Sequence, residues 1–346
     1  MKLLVVSDAW HPQVNGVVRT IEATNRELQR DGHTVAMIEP GMFVTVPCPR
    51  YSEIRLSLFP YRRVAARIAA ERPDAIHIAT EGPLGQAARR YCVAHRLPFT
   101  TAYHTRFPQY LKAMFGIPES WVYGFLRRFH GAATHVLSPT VEIDRDLATI
   151  GLSNVARWTR GVDLDVFRPD VGRAPAMAGL KEPIFLYVGR VSVEKNIEAF
   201  LELDLPGSRV VAGVGPDLRR MQARYPDAYF VGVLPREELA RLYASASVFV
   251  FPSRTDTFGL VMLEALACGT PVAAFPVPGP LDVVGNSDAA VLDADLRCAA
   301  LRALRIERAR CRRHAERFSW AAAARQFLEL QPTIDWAPAA RRLQHA

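Results

Sequence analysis

A chain of 346 residues, 49% hydrophobic and 23% charged, has the length of two ordinary domains and the composition of a folded protein, which excludes a wholly disordered chain. No apolar run approaches the roughly 18 residues of a membrane-spanning helix. The formal net charge of +8, from 43 Lys and Arg against 35 Asp and Glu, is too low for a histone-like protein and leaves nucleic acid, anionic substrate and membrane surface to be separated by motif.

The charge is unevenly placed. Residues 50–130 carry 13 basic and 5 acidic residues, and residues 297–317 carry 8 Arg and 2 Glu. Nearly all the basic residues are arginine; the lysines are Lys2, Lys112, Lys181 and Lys195. Five widely spaced cysteines contain no CxxC, which argues against a disulfide framework or a zinc site. Lys2 is followed by LLVV before Ser7 and Asp8, too short for the apolar core of a signal peptide, so the expected location is cytoplasmic.

In chain order, Leu3–Val6 reads as a strand, Gly16–Arg30 as a helix stopped at Gly32, and His33–Ile38 as a second strand. Ala75–Ala79 is a strand, Leu84–His95 a helix, and Pro98–Tyr103 and His135–Ser138 are strands. The stretch 166–183, punctuated by proline and glycine without a clear period, reads as a linker. Alternation then resumes: strand Ile184–Val188, helix Ile197–Leu203, strand Arg209–Ala212, strand Tyr229–Val231, helix Glu237–Ala246 and strand Val248–Phe251. Helix Leu260–Ala267, closed by Gly269, and strand Pro271–Phe275 follow. The pattern predicts an α/β chain of two Rossmann-like domains facing across a cleft. The boundaries are 1–165, linker 166–183, 184–320 and a helical tail 321–346 packing back on the first domain. Ligands of such sheets bind beyond the carboxyl ends of the strands.

The chemical candidates sit at those ends. Asn15-Gly16 opens the first helix, either as a phosphate-binding helix N-terminus or as a plain capping turn. Arg190 and Lys195 follow IFLYVG; a guanidinium fork and an ammonium there suit a diphosphate, against the alternative of a surface pair. Asp256 and Glu264, eight positions apart, flank the predicted start of a helix after VFVF. The alternative has Asp256 as an N-cap and Glu264 as a surface residue. His104 ends the strand TTAY, placed for the cleft or simply structural. The triplets Asp163-Leu-Asp165 and Asp293-Ala-Asp295 read as structural rather than as metal sites.

Together the segments SDAWHPQVNGVVRTI, HIATEGPLG, YHTRFPQY, WTRGVDLDVF, YVGRVSVEKN, VAGVGP and LYASASVFVFPSRTDTFGLVMLEALACGTPV resemble the family-4 retaining glycosyltransferases of the GT-B fold, over nearly the whole chain. The N-terminal segments are similar to a subgroup with sulfolipid synthases and GDP-mannose-dependent glycolipid mannosyltransferases. The resemblance implies that Asn15 and Gly16 lie against the donor diphosphate, which Arg190 and Lys195 bind. Asp256 stands where the family has the first glutamate of E-x7-E, near the transferred sugar. Thr257, Phe258, Gly259 and Leu260 offer backbone N–H groups, Glu264 takes the ribose hydroxyls, His104 touches sugar or acceptor, and Val233-Leu234 borders the base. Asp256 is one methylene shorter than the usual Glu, and Val214 replaces the acidic residue of G-[DE]-G-P.

The implied reaction moves a hexose from a GDP-mannose- or UDP-glucose-type donor to a hydroxyl, by front-face attack and with no metal or other cofactor. The implied acceptor is a membrane lipid such as diacylglycerol or a glycolipid. Phe59–Ile68 and Trp121–Phe129 mix arginine with aromatic residues, either as an anionic membrane contact or as helices packed on their own sheet. A peripheral location on the inner membrane face follows from the first. A soluble or polysaccharide-precursor acceptor and a GT-B-like epimerase are the alternatives. The first strand lacks G-x-G-x-x-G, which argues against a dinucleotide enzyme, and the basic tracts lack nucleic-acid-binding signatures. The tract 297–317 is expected to be a solvated helix face.

Overall fold

The computed structural model describes residues 1–13, 15–48, 51–104, 108, 118–256, 258–285 and 287–337, without the side chains of residues 51–53. These form two compact units. The first takes the described residues up to 108, 118–159 and the returning segment 320–337; the second is 160–319.

The first unit runs β1 (Lys2–Val6), α1 (Gly16–Arg30), β2 (Thr34–Ile38), β3 (Thr45–Cys48), β4 (Tyr51–Ser57), α2 (Tyr61–Glu71), β5 (Ala75–Ile78), α3 (Pro83–His95), β6 (Thr100–Ala102), α4 (Glu119–His130), β7 (His135–Ser138), α5 (Val141–Thr149) and β8 (Val155–Arg157). Six strands make a parallel sheet in the order β2-β1-β5-β6-β7-β8, while β3 and β4 pair antiparallel. The central strands β1 and β5 are in register from Leu3↔Ala75 to Val6↔Ile78. Covered on both faces, they are continuous apolar runs rather than alternating ones. Leu4, Val6, Ile76 and Ile78 pack with Val64 and Ile68 of α2 and Leu84 and Ala88 of α3. Leu3 and Ala75 pack on the opposite face with Trp158 and Phe327.

Phe327 belongs to the last described helix, Trp320–Glu329, which lies against α1. The returning segment is fastened by specific bonds. Trp158 Nε1 donates to the Ala323 carbonyl (3.1 Å), Thr100 Oγ1 to Gln331 Oε1 (2.8 Å), the Ile334 N–H to the Asp74 carbonyl (2.8 Å) and Trp336 Nε1 to the Pro73 carbonyl (2.8 Å).

The second unit runs β9 (Ile184–Val188), α6 (Glu198–Leu201), β10 (Ser208–Ala212), α7 (Leu218–Arg224), β11 (Tyr229–Gly232), α8 (Arg236–Ser245), β12 (Val248–Phe251), α9 (Leu260–Ala267), β13 (Val272–Ala274), α10 (Pro278–Val284), β14 (Ala290–Leu292), α11 (Leu296–Ala303) and α12 (Arg308–Ala315). Its parallel sheet has the order β11-β10-β9-β12-β13-β14.

Three expectations are corrected. The stretch 166–183 is part of the second unit, because Phe167, Ala174 and Met177 are buried in its core. The helix predicted over Ile197–Leu203 shrinks to α6. Asn196 before it adopts a left-handed backbone (φ +53°), held by its Nδ2 donating to the Pro252 carbonyl at 3.0 Å.

The arginine-rich tract is not a plain solvated face. Arg312 Nη1 donates to the carbonyls of Phe167 (2.8 Å) and Ala267 (3.1 Å), and Arg308 Nη1 donates to that of Ala246 (2.9 Å). Arg302 pairs with Asp293 and Arg310 with Asp288. In each DxD triplet a carboxylate makes local bonds: Asp163 accepts from the Val166 N–H and from Arg236, and Asp295 caps α11 through the Arg297 and Cys298 N–H groups. All five cysteines are free thiols, and burial pushes Cys92, Cys268 and Cys311 up to about 12. Among the described residues no helix is long and apolar enough to cross a membrane.

Candidate active site

In the second unit, loops leaving the carboxyl ends of β9, β10, β11 and β12 are stitched together. The Val191 N–H donates to the Val214 carbonyl (3.0 Å), and the Gly213 N–H to that of Gly232 (2.7 Å). Glycine is required where they touch. A Cβ on Gly213, which has φ +136°, would lie 1.9 Å from the Gly189 carbonyl oxygen, and one on Gly215 2.2 Å from that of Val191. These contacts fix the segment that carries Arg190 and Lys195.

The Lys195 ammonium forms an ion pair with Asp256 Oδ1. The pair is framed by bonds between its two loops. Thr255 Oγ1 donates to the Glu194 carbonyl (3.1 Å), and Ser192 Oγ donates to the buried Glu194 carboxylate (2.6 Å). Asp256 is therefore the counter-ion of Lys195 and not an N-cap. Its second oxygen, Oδ2, is buried with no hydrogen-bond partner among the described residues. A buried carboxylate oxygen without a donor is costly unless a ligand hydroxyl supplies one.

Arg190 is positioned from beneath. Tyr187 Oη donates to the Arg190 carbonyl at 2.7 Å. Burial, with the nearby Asp256 and Glu194 charges, holds the Tyr187 phenol well above its ordinary range, so it remains a donor.

Helix α9 begins at Leu260. Gly259 precedes it in a left-handed conformation (φ +86°), and among the described residues no side chain caps the helix start. A Cβ there would meet Met262 Cε at 2.8 Å and Phe251 Cζ at 3.1 Å. Phe258 is buried, and Thr257 lies outside the described residues. Glu264 is not a surface residue: it lies in the buried run Met262–Ala267, and Tyr243 Oη donates to its Oε2 at 3.1 Å. Val233, 62% exposed, and the partly buried Leu234 follow β11.

In the first unit, Asn15 is the N-cap of α1, its Oδ1 accepting from the Val17 and Val18 N–H groups (both 3.0 Å). Gly16 is exposed at the first helical position. His104 follows β6, its ring edge-on to Trp158 at 5.9 Å. The neighbouring positions 105–107 and 109–117, including most of the rest of YHTRFPQY, lie outside the described residues.

A polar cluster unforeseen in the sequence surrounds Asp8, just beyond β1. Asp8 accepts from the Leu84 N–H (2.8 Å), the Gly85 N–H (3.2 Å) and Thr80 Oγ1 (3.0 Å), and so caps α3 from another strand. A Cβ on Gly82 would fall 2.5 Å from the Asp8 carboxyl carbon, which explains the glycine of EGPLG. Glu81 beside it pairs with the fully buried His130 (3.2 Å). Burial pushes Asp8 from an ordinary 3.8 up to about 6. The fold thus holds this proton more tightly than the unfolded chain does. The resulting stabilisation is complete below pH 3.8 and lost as pH rises past about 6. Asp8→Asn is expected to gain about 3 kcal/mol on the wild type between those limits. Denaturant unfolding of both proteins across that range checks it.

The Asp8 cluster and the Thr255 bond to the Glu194 carbonyl went unread because their partners are distant in sequence, and the local Tyr187–Arg190 and Ser192–Glu194 bonds because no periodic pattern marks them. The motif GRVSVEKN contained Glu194 and Ser192 but not Thr255, which donates to the Glu194 carbonyl.

These sites belong to a chain with clear relatives. Residues 14–166 match the family described as Glycosyltransferase Family 4, and residues 173–318 match Glycosyl transferases group 1. A GDP-mannose-dependent alpha-mannosyltransferase of Mycobacterium tuberculosis is 31% identical over 82% of this chain and 81% of its own length. Sulfoquinovosyl transferase SQD2 of Arabidopsis thaliana is 33% identical over 69% of this chain, a match spanning about half, 49%, of that protein. An alpha-monoglucosyldiacylglycerol synthase of Streptococcus pneumoniae is 28% identical over 80% of this chain and 72% of its own length.

Among solved structures, sucrose-phosphate synthase from Thermosynechococcus elongatus has a TM-score of 0.74 at 22% identity, covering 95% of this chain and 98% of that one. HepE of Anabaena, in complex with UDP and glucose, has a TM-score of 0.71 at 15% identity with the same coverage. The fold is that of the GT-B glycosyltransferases. The chain belongs to glycosyltransferase family 4.

Proposed function

We propose that the protein is a retaining, metal-independent hexosyltransferase. It moves a hexose from a GDP-mannose- or UDP-glucose-type donor to a hydroxyl of a membrane lipid, such as diacylglycerol or a glycolipid. It works in the cytoplasm, peripherally on the anionic inner membrane face. The observation that carries the reading is the Lys195–Asp256 pair, which joins the loops that follow β9 and β12, the first of which also carries Arg190. The printed activities of the mannosyltransferase, sulfoquinovosyl transferase and glucosyldiacylglycerol synthase relatives support the donor and acceptor classes.

In this reading the anomeric C–O bond to the diphosphate breaks, and the acceptor oxygen bonds to the same face of the sugar. The acceptor proton passes to the departing phosphate oxygen. Arg190, Lys195 and the N–H groups of Gly259 and Leu260 at the start of α9 take up the negative charge that grows on the diphosphate. Asp256 Oδ2 accepts a sugar hydroxyl, His104 contacts the sugar or acceptor, Val233 and Leu234 border the base, and Glu264 holds the ribose.

The test is transfer from a panel of nucleotide sugars to diacylglycerol, a glycolipid and a soluble sugar, with product anomers assigned by NMR and EDTA present in a parallel arm. An inverted product, or activity abolished by EDTA, overturns the retaining or metal-independent part. Glu264→Ala is expected to raise the donor KM about tenfold or more, with kcat changed far less, since a hydrogen bond to a charged group contributes about 1.5–3 kcal/mol. An unchanged KM removes Glu264 from the ribose.

A further inference from the structure

The first unit carries a groove of about 570 Å³ between α3 and α4, lined by none of the site residues singled out in the sequence. Arg89, Arg90 and Arg128 line it together with Phe125, and no Asp or Glu is among its lining residues. Arg89 is tethered, its Nε donating to the Phe129 carbonyl (3.0 Å) and its Nη2 to that of Arg128 (2.5 Å). Arg90 lies over the Tyr61 ring at 4.3 Å. Burial and the adjacent Arg128 cation lower the Arg89 pKa. Three arginines thus line one groove with no Asp or Glu among its described lining residues, an arrangement that an anion relieves.

A second depression of about 430 Å³ shares Gln86 and Arg90 with the first and adds Arg62 and Phe59. Phe59 is 95% exposed and has a left-handed backbone (φ +47°), a strained conformation for an aromatic residue and one that leaves the ring with almost no protein contact. On α4, Trp121 is 75% and Phe125 45% exposed, one turn apart on one face, with Arg128 one turn further. Exposed aromatic residues beside an arginine-lined groove are the two halves of an interfacial lipid contact: rings enter the acyl boundary while cations meet headgroups.

We infer that this groove binds the phosphodiester headgroup of an anionic phospholipid in a bilayer, with Phe59, Trp121 and Phe125 seated in the interface around it. The inference rests on the proposed lipid acceptor and specifies a lipid site that is not the acceptor site. It also gives a role to three of the 13 basic residues of 50–130.

The test is vesicle flotation of the full chain with phosphatidylcholine alone and with phosphatidylcholine containing phosphatidylglycerol. Wild type, Arg90→Glu/Arg128→Glu and Phe59→Ser/Trp121→Ser are compared. Each arginine near an anionic surface contributes about fivefold to partitioning, so the charge reversal is expected to lower binding to the anionic vesicles about 30-fold or more. The aromatic variant is expected to lose about tenfold. Hexose transfer to a short-chain acceptor in detergent should be unchanged in both variants, which also establishes that they fold.

Anionic-vesicle binding by Arg90→Glu/Arg128→Glu equal to the wild type, alongside intact transfer to lipid, overturns the groove and leaves the lipid-acceptor reading standing. Equal wild-type binding to both vesicle types also overturns it. Wild-type binding to inorganic phosphate, abolished in Arg90→Glu/Arg128→Glu, with no vesicle binding, overturns the bilayer as the source of the anion. Transfer to the soluble sugar alone, with no lipid product, is the separate failure of the lipid-acceptor reading.

Discussion

Arg190→Ala and Lys195→Ala are each expected to lower kcat/KM for hexose transfer by about 10²–10³-fold, the usual loss when one preorganised donor to a developing oxyanion is removed. The loss should fall mainly on kcat, because negative charge on the diphosphate rises as the anomeric bond breaks. Lys195 requires a control. Its removal leaves Asp256 without its cation, and that alone could disturb the loops joined through Thr255 and Glu194. The double variant Lys195→Ala/Asp256→Asn removes both charges. Because Asp256 itself meets the sugar in the proposed reaction, the double variant is compared with Asp256→Asn alone: if Lys195 serves only to neutralise Asp256, the two turn over equally; if it acts on the phosphate, the double variant is slower still. Equal turnover of those two, or wild-type turnover in Arg190→Ala, overturns the assignment. Steady-state kinetics with matched thermal melts separates these outcomes.

Arg312→Ala is expected to destabilise the second unit by about 2–3 kcal/mol, a large effect for one arginine. Its guanidinium donates to the Phe167 and Ala267 carbonyls, which lie 100 residues apart, and its Nε meets Glu316 at 2.9 Å. Ala267 is the last residue of α9, where carbonyls lack helical partners. Lysine reaches with one point charge and not with a planar fork, so Arg312→Lys should recover only part of the loss. The exposed Arg305, with no such contacts, should change stability by less than about 0.5 kcal/mol when replaced. Urea unfolding of the three variants checks the ranking; equal stability of Arg312→Ala and the wild type refutes it.

The legible parts of the fold were those written in local pattern. IFLYV and VFVF are buried on both faces and read as parallel strands without help. The β3–β4 pair did not, because Thr45–Cys48 carries Pro47 and only one apolar aliphatic side chain. The stretch 166–183 looked like a linker by composition. Its placement is decided by Phe167 and Met177, whose core partners arrive from β9 and α8.

The site divides in the same way. Cations and carboxylates after core strands could be singled out in sequence, but the Lys195–Asp256 bond required the sheet order that puts β12 beside β9. The arginine tract was misread because the carbonyls it clamps belong to other elements, and no periodicity within 297–317 could reveal them.

The first unit is assembled from both sides of the second. Trp158 and Thr100 wait for Ala323 and Gln331, which are translated only after all of 160–319. During synthesis the second unit is therefore complete on the ribosome before its predecessor has its full set of packing partners. The second unit becomes foldable first, and the unit that precedes it in sequence is the last to close.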